Sequence, residues 1–233
     1  MLANQKVLAI VPARAGSKRI PNKNTVEIEK KPLIVWSLEA AKKSRYIDKI
    51  VISTDDPKII SIAKEIGIEI PFIRPKELSE DSTPTIDVLK HVIQFMRERG
   101  EVFDLIILLQ PTSPLRTHED IDAALEEMLS KSANSIISVN EMDHPVEWIN
   151  TLPSDLSMVN FLKNKEKRSQ EYLKQYRLNG AIYISKTLPL LEQNTFFQSE
   201  KTYAFIMEPD KSIDIDTPYD LKIASLLLKE LHS

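Results

Sequence analysis

Short apolar runs punctuate the chain at Val7–Val11, Lys49–Ser53, Leu105–Leu109 and Ser135–Val139, and each is rich in branched side chains. Such runs read as strands, and the stretches between them carry apolar residues at helical spacing, so the pattern predicts repeated β-α-β units. The runs VLAIV and LIILL show no polar alternation. A strand apolar on both faces belongs in a largely parallel sheet covered by helices on either side, whereas a sheet wetted on one face would alternate. Further strands are expected at Gly180–Ser185 and Tyr203–Met207, with a closing helix from Pro218 to about Leu231. Helix starts are signalled at Asp56-Pro57, Thr83-Pro84 and Thr217-Pro218, where a capping side chain precedes a proline whose missing N–H costs nothing in the first turn. Gly67 and Gly100 read as helix stops.

From about Asp143 to Arg177 this rhythm breaks. The segment has no clean period, carries aromatic residues and a basic cluster, and reads as an inserted interaction arm. Residues 1–142 and 178–233 are then the core, and 143–177 the insertion. A chain of 233 residues suits one main domain of this kind.

Composition narrows the classes. With 31 Lys+Arg against 34 Asp+Glu the formal charge is −3, which lacks the basic field of a nucleic-acid binder, so any basic site is local. There is no cysteine, which excludes a disulfide framework and a thiolate metal site, and the four histidines have no zinc-ligand spacing. No stretch approaches a membrane span, and the apolar run near the N-terminus is too short for a signal segment, so a cytoplasmic protein is expected.

Three constellations carry candidate chemistry. The loop from Pro12 to Asn24, PARAGSKRIPNKN, follows the first strand and contains Arg14, Lys18, Arg19 and Lys23 with no acid. Loops at the carboxyl ends of strands form the usual ligand crevice of an open α/β sheet. Gly16 would let backbone amides approach phosphate oxygens while the cations spread charge over a triphosphate. The wording matches neither a Walker A loop nor GxGxxG. The plain alternative is a solvated basic loop.

The second is SIDIDT at Ser212–Thr217, where period-two alternation puts Asp214 and Asp216 on one face and two isoleucines on the other. Carboxylates spaced about 7 Å along a strand suit a magnesium ion shared with substrate phosphates. The alternative is a half-buried strand with a solvated acidic face. The third is LLQPTSPLR at Leu108–Arg116, after a central strand, whose polar groups would read a base, ribose or sugar. Equally, it is a proline-rich turn capping a helix from His118, for which Thr117 and Asp120 form a near capping box. In STDD the capping role of Asp56 is the simpler one, and Arg74 either meets ligand or pairs with Glu77.

Together these segments resemble the cytidylyltransferases that activate nine-carbon sugar acids: the sialic, legionaminic and pseudaminic acid family. The resemblance spans nearly the whole chain and rests on VPARAGSK, Lys23-Asn24, STDD, RPKEL, LLQPTSPLR, NGAIYI at Asn179–Ile184 and SIDID, in that order. It implies a three-layer α/β/α, Rossmann-like, nucleotide-diphosphosugar-transferase-like fold with a small dimerisation arm in a homodimer. It further implies CTP and a nonulosonic acid as substrates, Mg²⁺ as cofactor, and no nucleic-acid or membrane partner.

By motif, Arg14, Lys18 and Lys23 look like the catalytic cations, and Pro12, Ala13, Arg14, Asn24, Arg74, Thr83, Thr85 and Gln110 like the nucleotide contacts. Gln110, Arg168, Arg177, Tyr183, Phe196 and Phe197 look like the sugar pocket, and Asp214 and Asp216 like the metal ligands. Glu147, and Ser169 beside Arg168, depart from the sialic-acid pattern, in which cations are expected, so the exact sugar is open. Another sugar nucleotidyltransferase, acting on an eight-carbon acid or a hexose 1-phosphate, and a non-catalytic nucleotide-sugar-binding protein are the competing readings.

Overall fold

The computed structural model describes Leu2, residues 4–162 and residues 172–231. In chain order its strands are β1 (Val7–Pro12), β2 (Glu27–Ile28), β3 (Lys31–Pro32), β4 (Lys49–Ser53), β5 (Leu105–Leu108), β6 (Ser135–Glu141), β7 (Tyr176–Lys186) and β8 (Thr202–Ile206). The helices are α1 (Leu33–Lys43), α2 (Pro57–Glu65), α3 (Thr85–Glu98), α4 (His118–Ser130), α5 (Thr187–Gln193) and α6 (Pro218–Leu231). Among the described residues the main sheet has six strands in the order β4-β1-β5-β7-β6-β8, while β2 and β3 form a separate ribbon.

β1 runs parallel to both neighbours, with Ala9 opposite Ile50 on β4 and Ile107 on β5, and β8 runs parallel to β6. β7 is antiparallel to β5 and β6, with Ile184 between Ile107 and Ile136. β6 connects to β7 through residues 142–175, whose described part holds no α-helix, and β7 runs back along β6. β7 begins at Tyr176, earlier than the apolar run at Gly180–Ser185 suggests, because its first residues pair with the end of β6, Tyr176 opposite Glu141 and Arg177 opposite Asn140.

The two faces of β1 feed two cores. Val7, Ala9 and Val11 pack with α1, α2 and α4 residues such as Leu38, Ile59 and Leu125. Leu8 and Ile10 pack with Leu89, Val92 and Met96 of α3. A strand buried on both sides in this way explains the uninterrupted apolar run. A third cluster joins Ile20, Ile28, Leu33, Leu115, Ile215, Ala224 and Leu228, and so seats α6 and the ribbon beneath the loops that follow β1 and β5.

The local signals mostly hold. The Asp56 carboxylate accepts from the Lys58 N–H at 2.9 Å with Pro57 opening α2, and Thr117 and Asp120 close a full capping box on α4. Gly67 and Gly100, both at positive φ, follow the ends of α2 and α3. Two expectations need correction. Pro84, not Thr83, stands at the cap of α3, because the Thr83 hydroxyl is taken by the Glu77 carbonyl at 3.1 Å. SIDID does not pair as a ladder strand. It runs alongside the loop after β5, held by the Ile215 N–H donating to the Thr112 carbonyl at 2.9 Å, with Ile215 sunk into the third core.

Candidate active site

Because β1, β4 and β5 are parallel, Pro12, Ser53 and Gln110 emerge at one end of the sheet, where an α/β fold keeps its ligand crevice. The basic loop is fastened there by its backbone. The Ala13 N–H donates to the Ser53 carbonyl at 2.9 Å and the Ala15 N–H to the Asp55 carboxylate at 2.8 Å. The Asn24 amide donates to the Arg14 carbonyl at 3.2 Å and closes the loop. Gly16 sits at φ +75 with open space where a Cβ would be, so its backbone is accessible.

The four cations of this loop turn to two acids. Arg14 and Lys18 both pair with Asp81, and their hydrogen bonds hold its carboxyl below the ordinary value. Arg19 pairs with Asp216 at 2.8 Å, and Lys23 reaches Asp216 at 3.1 Å and the Ile215 carbonyl at 2.8 Å. Loop cations and C-terminal acids, far apart in sequence, therefore meet.

Arg74 is buried. Its guanidinium bonds the Ser53 hydroxyl at 3.0 Å and the Ser53 carbonyl, rather than pairing with Glu77, and its own N–H donates to the Thr54 carbonyl at 2.8 Å. Burial lowers it to about 10, offset in part by Asp55. Arg74 thus stiffens the floor that also receives Ala13. Thr85 opens α3 nearby in sequence and is exposed.

Gln110, Gly180 and Asp214 form a tight group. Gly180 lies at φ +75, and a Cβ there would stand 3.4 Å from the Gln110 amide nitrogen and 3.8 Å from the Asp214 carboxylate. The left-handed backbone is what favours glycine here, and a side chain would add contact with both polar groups. Beside it the buried Asn179 accepts from the Ser138 hydroxyl at 2.5 Å and donates to the Ser212 hydroxyl at 3.0 Å, which ties the kink in β7 to the start of SIDID. Asp214 opens to the cleft, yet the surrounding protein strips enough water to raise its carboxyl above the ordinary value. Asp216 adds to that rise, while the Thr112 hydroxyl and Lys23 oppose it.

The remaining expected sugar contacts scatter. The Tyr183 ring leans on Phe196 at 5.3 Å, and burial followed by the Asp214 charge raises its phenol. Phe196 packs in the second core, whereas Phe197 is largely exposed. Arg177 is exposed and donates to the Asn140 side chain at 3.3 Å near the base of the excursion. Arg168 lies outside the described residues.

Asp81 lies in none of the sequence motifs, and Asn179 and Arg116 stand inside NGAIYI and LLQPTSPLR without a role of their own. Asp81 was detectable as an acid in a loop that a basic site would attract. Arg116 and Asn179 act through backbone and buried polar contacts, for which residue type gives no signal.

A doubly covered sheet whose basic loop and carboxylates converge at the strand ends defines a nucleotide-handling transferase. The chain belongs to the cytidylyltransferase family, whose model matches residues 8–232, and it is a nucleotidyltransferase. It is 32% identical over 228 residues to a pseudaminic acid cytidylyltransferase of Campylobacter jejuni, covering 97% of this chain and 98% of that protein. It is 33% identical over 230 residues to a CMP-N,N'-diacetyllegionaminic acid synthase of Legionella pneumophila, covering 96% and 97%. Solved structures share the fold. A CMP:2-keto-3-deoxy-manno-octonic acid synthetase complexed with CTP superposes with a TM-score of 0.70 at 18% identity, covering 97% of this chain and 99% of the other. A 4-diphosphocytidyl-2C-methyl-D-erythritol synthase of Anaerococcus prevotii gives 0.66 at 15%, with the same coverage.

Proposed function

We propose that the protein couples CTP to a nine-carbon sugar acid, giving a CMP-sugar acid and pyrophosphate. The observation that carries this reading is the meeting of the loop cations with the SIDID acids through Lys23 and Asp216, beside the group formed by Gln110, Gly180 and Asp214. A triphosphate drawn into the loop exchanges the Asp81 carboxylate for its own oxygens on Arg14 and Lys18. Lys23 holds the acid segment against that loop. The anomeric hydroxyl of the sugar acid attacks the α-phosphorus and releases its proton to solvent, the bond to the bridging oxygen breaks, and pyrophosphate leaves. Catalysis of this kind is mainly positioning and neutralisation of charge.

Pro12, Ala13, Asn24, Arg74, Thr83, Thr85 and Gln110 form the nucleotide side. Gln110, Tyr183, Phe197, Arg177 and Arg168 form the sugar side, with Phe196 supporting the Tyr183 ring. Asp214 and Asp216 are the residues that would hold magnesium. They suit it: Asp214 is crowded by burial and by Asp216, which a divalent cation relieves. Magnesium also favours one or two carboxylates plus substrate phosphates over a full protein cage. When bound, the ion supplies Lewis-acid neutralisation of the phosphates.

Residues 143–177 are proposed as a dimerisation arm on the core formed by the rest. Val159 and Leu173, 79% and 91% exposed, are the kind of side chains that a second copy buries. Among the described residues no helix is long and apolar enough to cross a membrane, and a cytoplasmic location, where CTP is made, fits the reading.

Pyrophosphate release is to be measured with CTP, UTP, GTP and ATP against nonulosonic acids, an eight-carbon sugar acid and hexose 1-phosphates. Turnover of CTP with a nine-carbon acid supports the proposal. Preference for either other substrate class makes it another sugar nucleotidyltransferase, and no turnover with any pair makes it a nucleotide-sugar-binding protein. Sedimentation at micromolar concentration tests the dimer.

A further inference from the structure

Arg116 is among the largest fully buried side chains of the protein. It ends the LLQPTSPLR segment, one residue before the cap of α4, and points back into the sheet. Its Nη1 donates to the Ala181 carbonyl at 2.7 Å and to the Gln110 carbonyl at 3.2 Å. The Ser37 hydroxyl of α1 donates to the same Gln110 carbonyl at 3.2 Å. Nε and Nη2 are buried with no hydrogen-bond partner among the described residues.

A buried guanidinium with unmatched donors is unfavourable by itself, and an apolar side chain of similar volume would often serve stability as well. Its two acceptors are what mark it. Gln110 leaves the end of β5, Ala181 follows Gly180 in the kink of β7, and the side chains of Gln110 and Asp214 flank that same glycine.

We infer that Arg116 is a positioning residue, which pins the peptide of Gln110 to the peptide of Ala181 and thereby fixes the Gln110 amide beside Gly180 and Asp214. This rests on the reading of Gln110 as a contact of the sugar-acid site. Burial lowers the guanidinium to about 9, with the Asp120 carboxylate opposing, so the charge is held there at a cost that the geometry of its two acceptors has to justify.

Three variants of the full chain test this: Arg116→Lys, which can reach one carbonyl at a time; Arg116→Met, which keeps bulk without donors; and the milder Ser37→Ala, which removes the second donor to Gln110. Amide hydrogen exchange without ligand is the first readout. Exchange is expected to quicken by roughly tenfold at Ala181 and Ile215 in the Arg116 variants, more weakly in Ser37→Ala, while Val51 and Ile52 on the edge strand β4 keep their protection. Unchanged exchange, or a uniform rise across the sheet, overturns the assignment.

Kinetics are the second readout. The KM for the sugar acid is expected to rise about tenfold in Arg116→Lys with the KM for CTP within about twofold, and the effect to shrink when combined with Gln110→Ala. A fall in kcat with both KM values unchanged, or full additivity with Gln110→Ala, argues for a merely structural arginine. An inactive wild type would sink the substrate reading alone, because the exchange measurement still decides on Arg116.

Discussion

Lys23 joins two ends of the chain: its ammonium lies 2.8 Å from the Ile215 carbonyl and 3.1 Å from the Asp216 carboxylate. Its side chain is only 15% exposed, so the contact is shielded. Replacing it with methionine keeps the stem and removes the charge. Activity is expected to fall by about a hundredfold, because the acid segment loses its hold on the loop and the phosphoryl site its preorganisation. Lys23→Arg is expected to retain part of it. Pyrophosphate release at saturating substrates gives the comparison.

Asp81 occupies Arg14 and Lys18, the cations proposed for the triphosphate. Asp81→Asn is therefore expected to lower the KM for CTP severalfold and to steepen its dependence on salt, since Arg14 and Lys18 then face the triphosphate without a competing anion. An increase in that KM would make Asp81 a direct aid to binding instead. The pairs also set a pH limb. Because the Asp81 carboxyl is depressed in the fold, its contribution to stability is present above the unfolded value and disappears as pH falls through the folded one. Thermal melting from about pH 4 downward, below the ordinary Asp value, should show this limb in the wild type and not in Asp81→Asn.

Asp214 runs the other way. Its carboxyl is raised, so the folded state holds the proton more tightly than the unfolded chain, and ionisation near neutral pH costs stability. Asp214→Asn should raise Tm by on the order of a degree or two at pH 7, the effect being moderated by its opening to solvent. Pyrophosphate release should meanwhile collapse. A variant both less stable and fully active would remove Asp214 from the site.

Gly180→Ala adds a left-handed backbone cost of roughly 1–2 kcal/mol and sets a methyl 3.4 Å from the Gln110 amide. A lower Tm is expected together with a raised KM for the sugar acid. Gly67→Ala carries the same backbone strain in open space, and should lower Tm without moving that KM.

Much of the scaffold was legible because it is written in local terms. VLAIV and LIILL announce strands buried on both faces, and Asp56-Pro57 and Thr117 with Asp120 announce helix starts. What escaped depends on partners distant in the chain. Nothing in Tyr176–Leu178 signals pairing with the end of β6, so the pattern shows only the later part of β7. Thr83 reads as a cap until the Glu77 carbonyl claims its hydroxyl. The period-two pattern of SIDID does sink Ile215, but the segment binds a loop carbonyl rather than a strand. For the site, the basic loop and the acids were visible by charge, while Arg116 was unreadable because its acceptors are backbone carbonyls at residues 110 and 181.

The excursion between β6 and β7 leaves at Glu141 and comes back at Tyr176, and those two residues face each other across one rung of the ladder. Its ends are held together by the sheet whatever lies between them, so closing the loop requires little of the intervening sequence. Such a segment is free to be lengthened, rewritten or grafted from a relative while Pro12, Ser53 and Gln110 keep their places at the strand ends. A change of length or sequence in the excursion is thus absorbed at a single rung of the sheet, without shifting the strand ends that carry the basic loop.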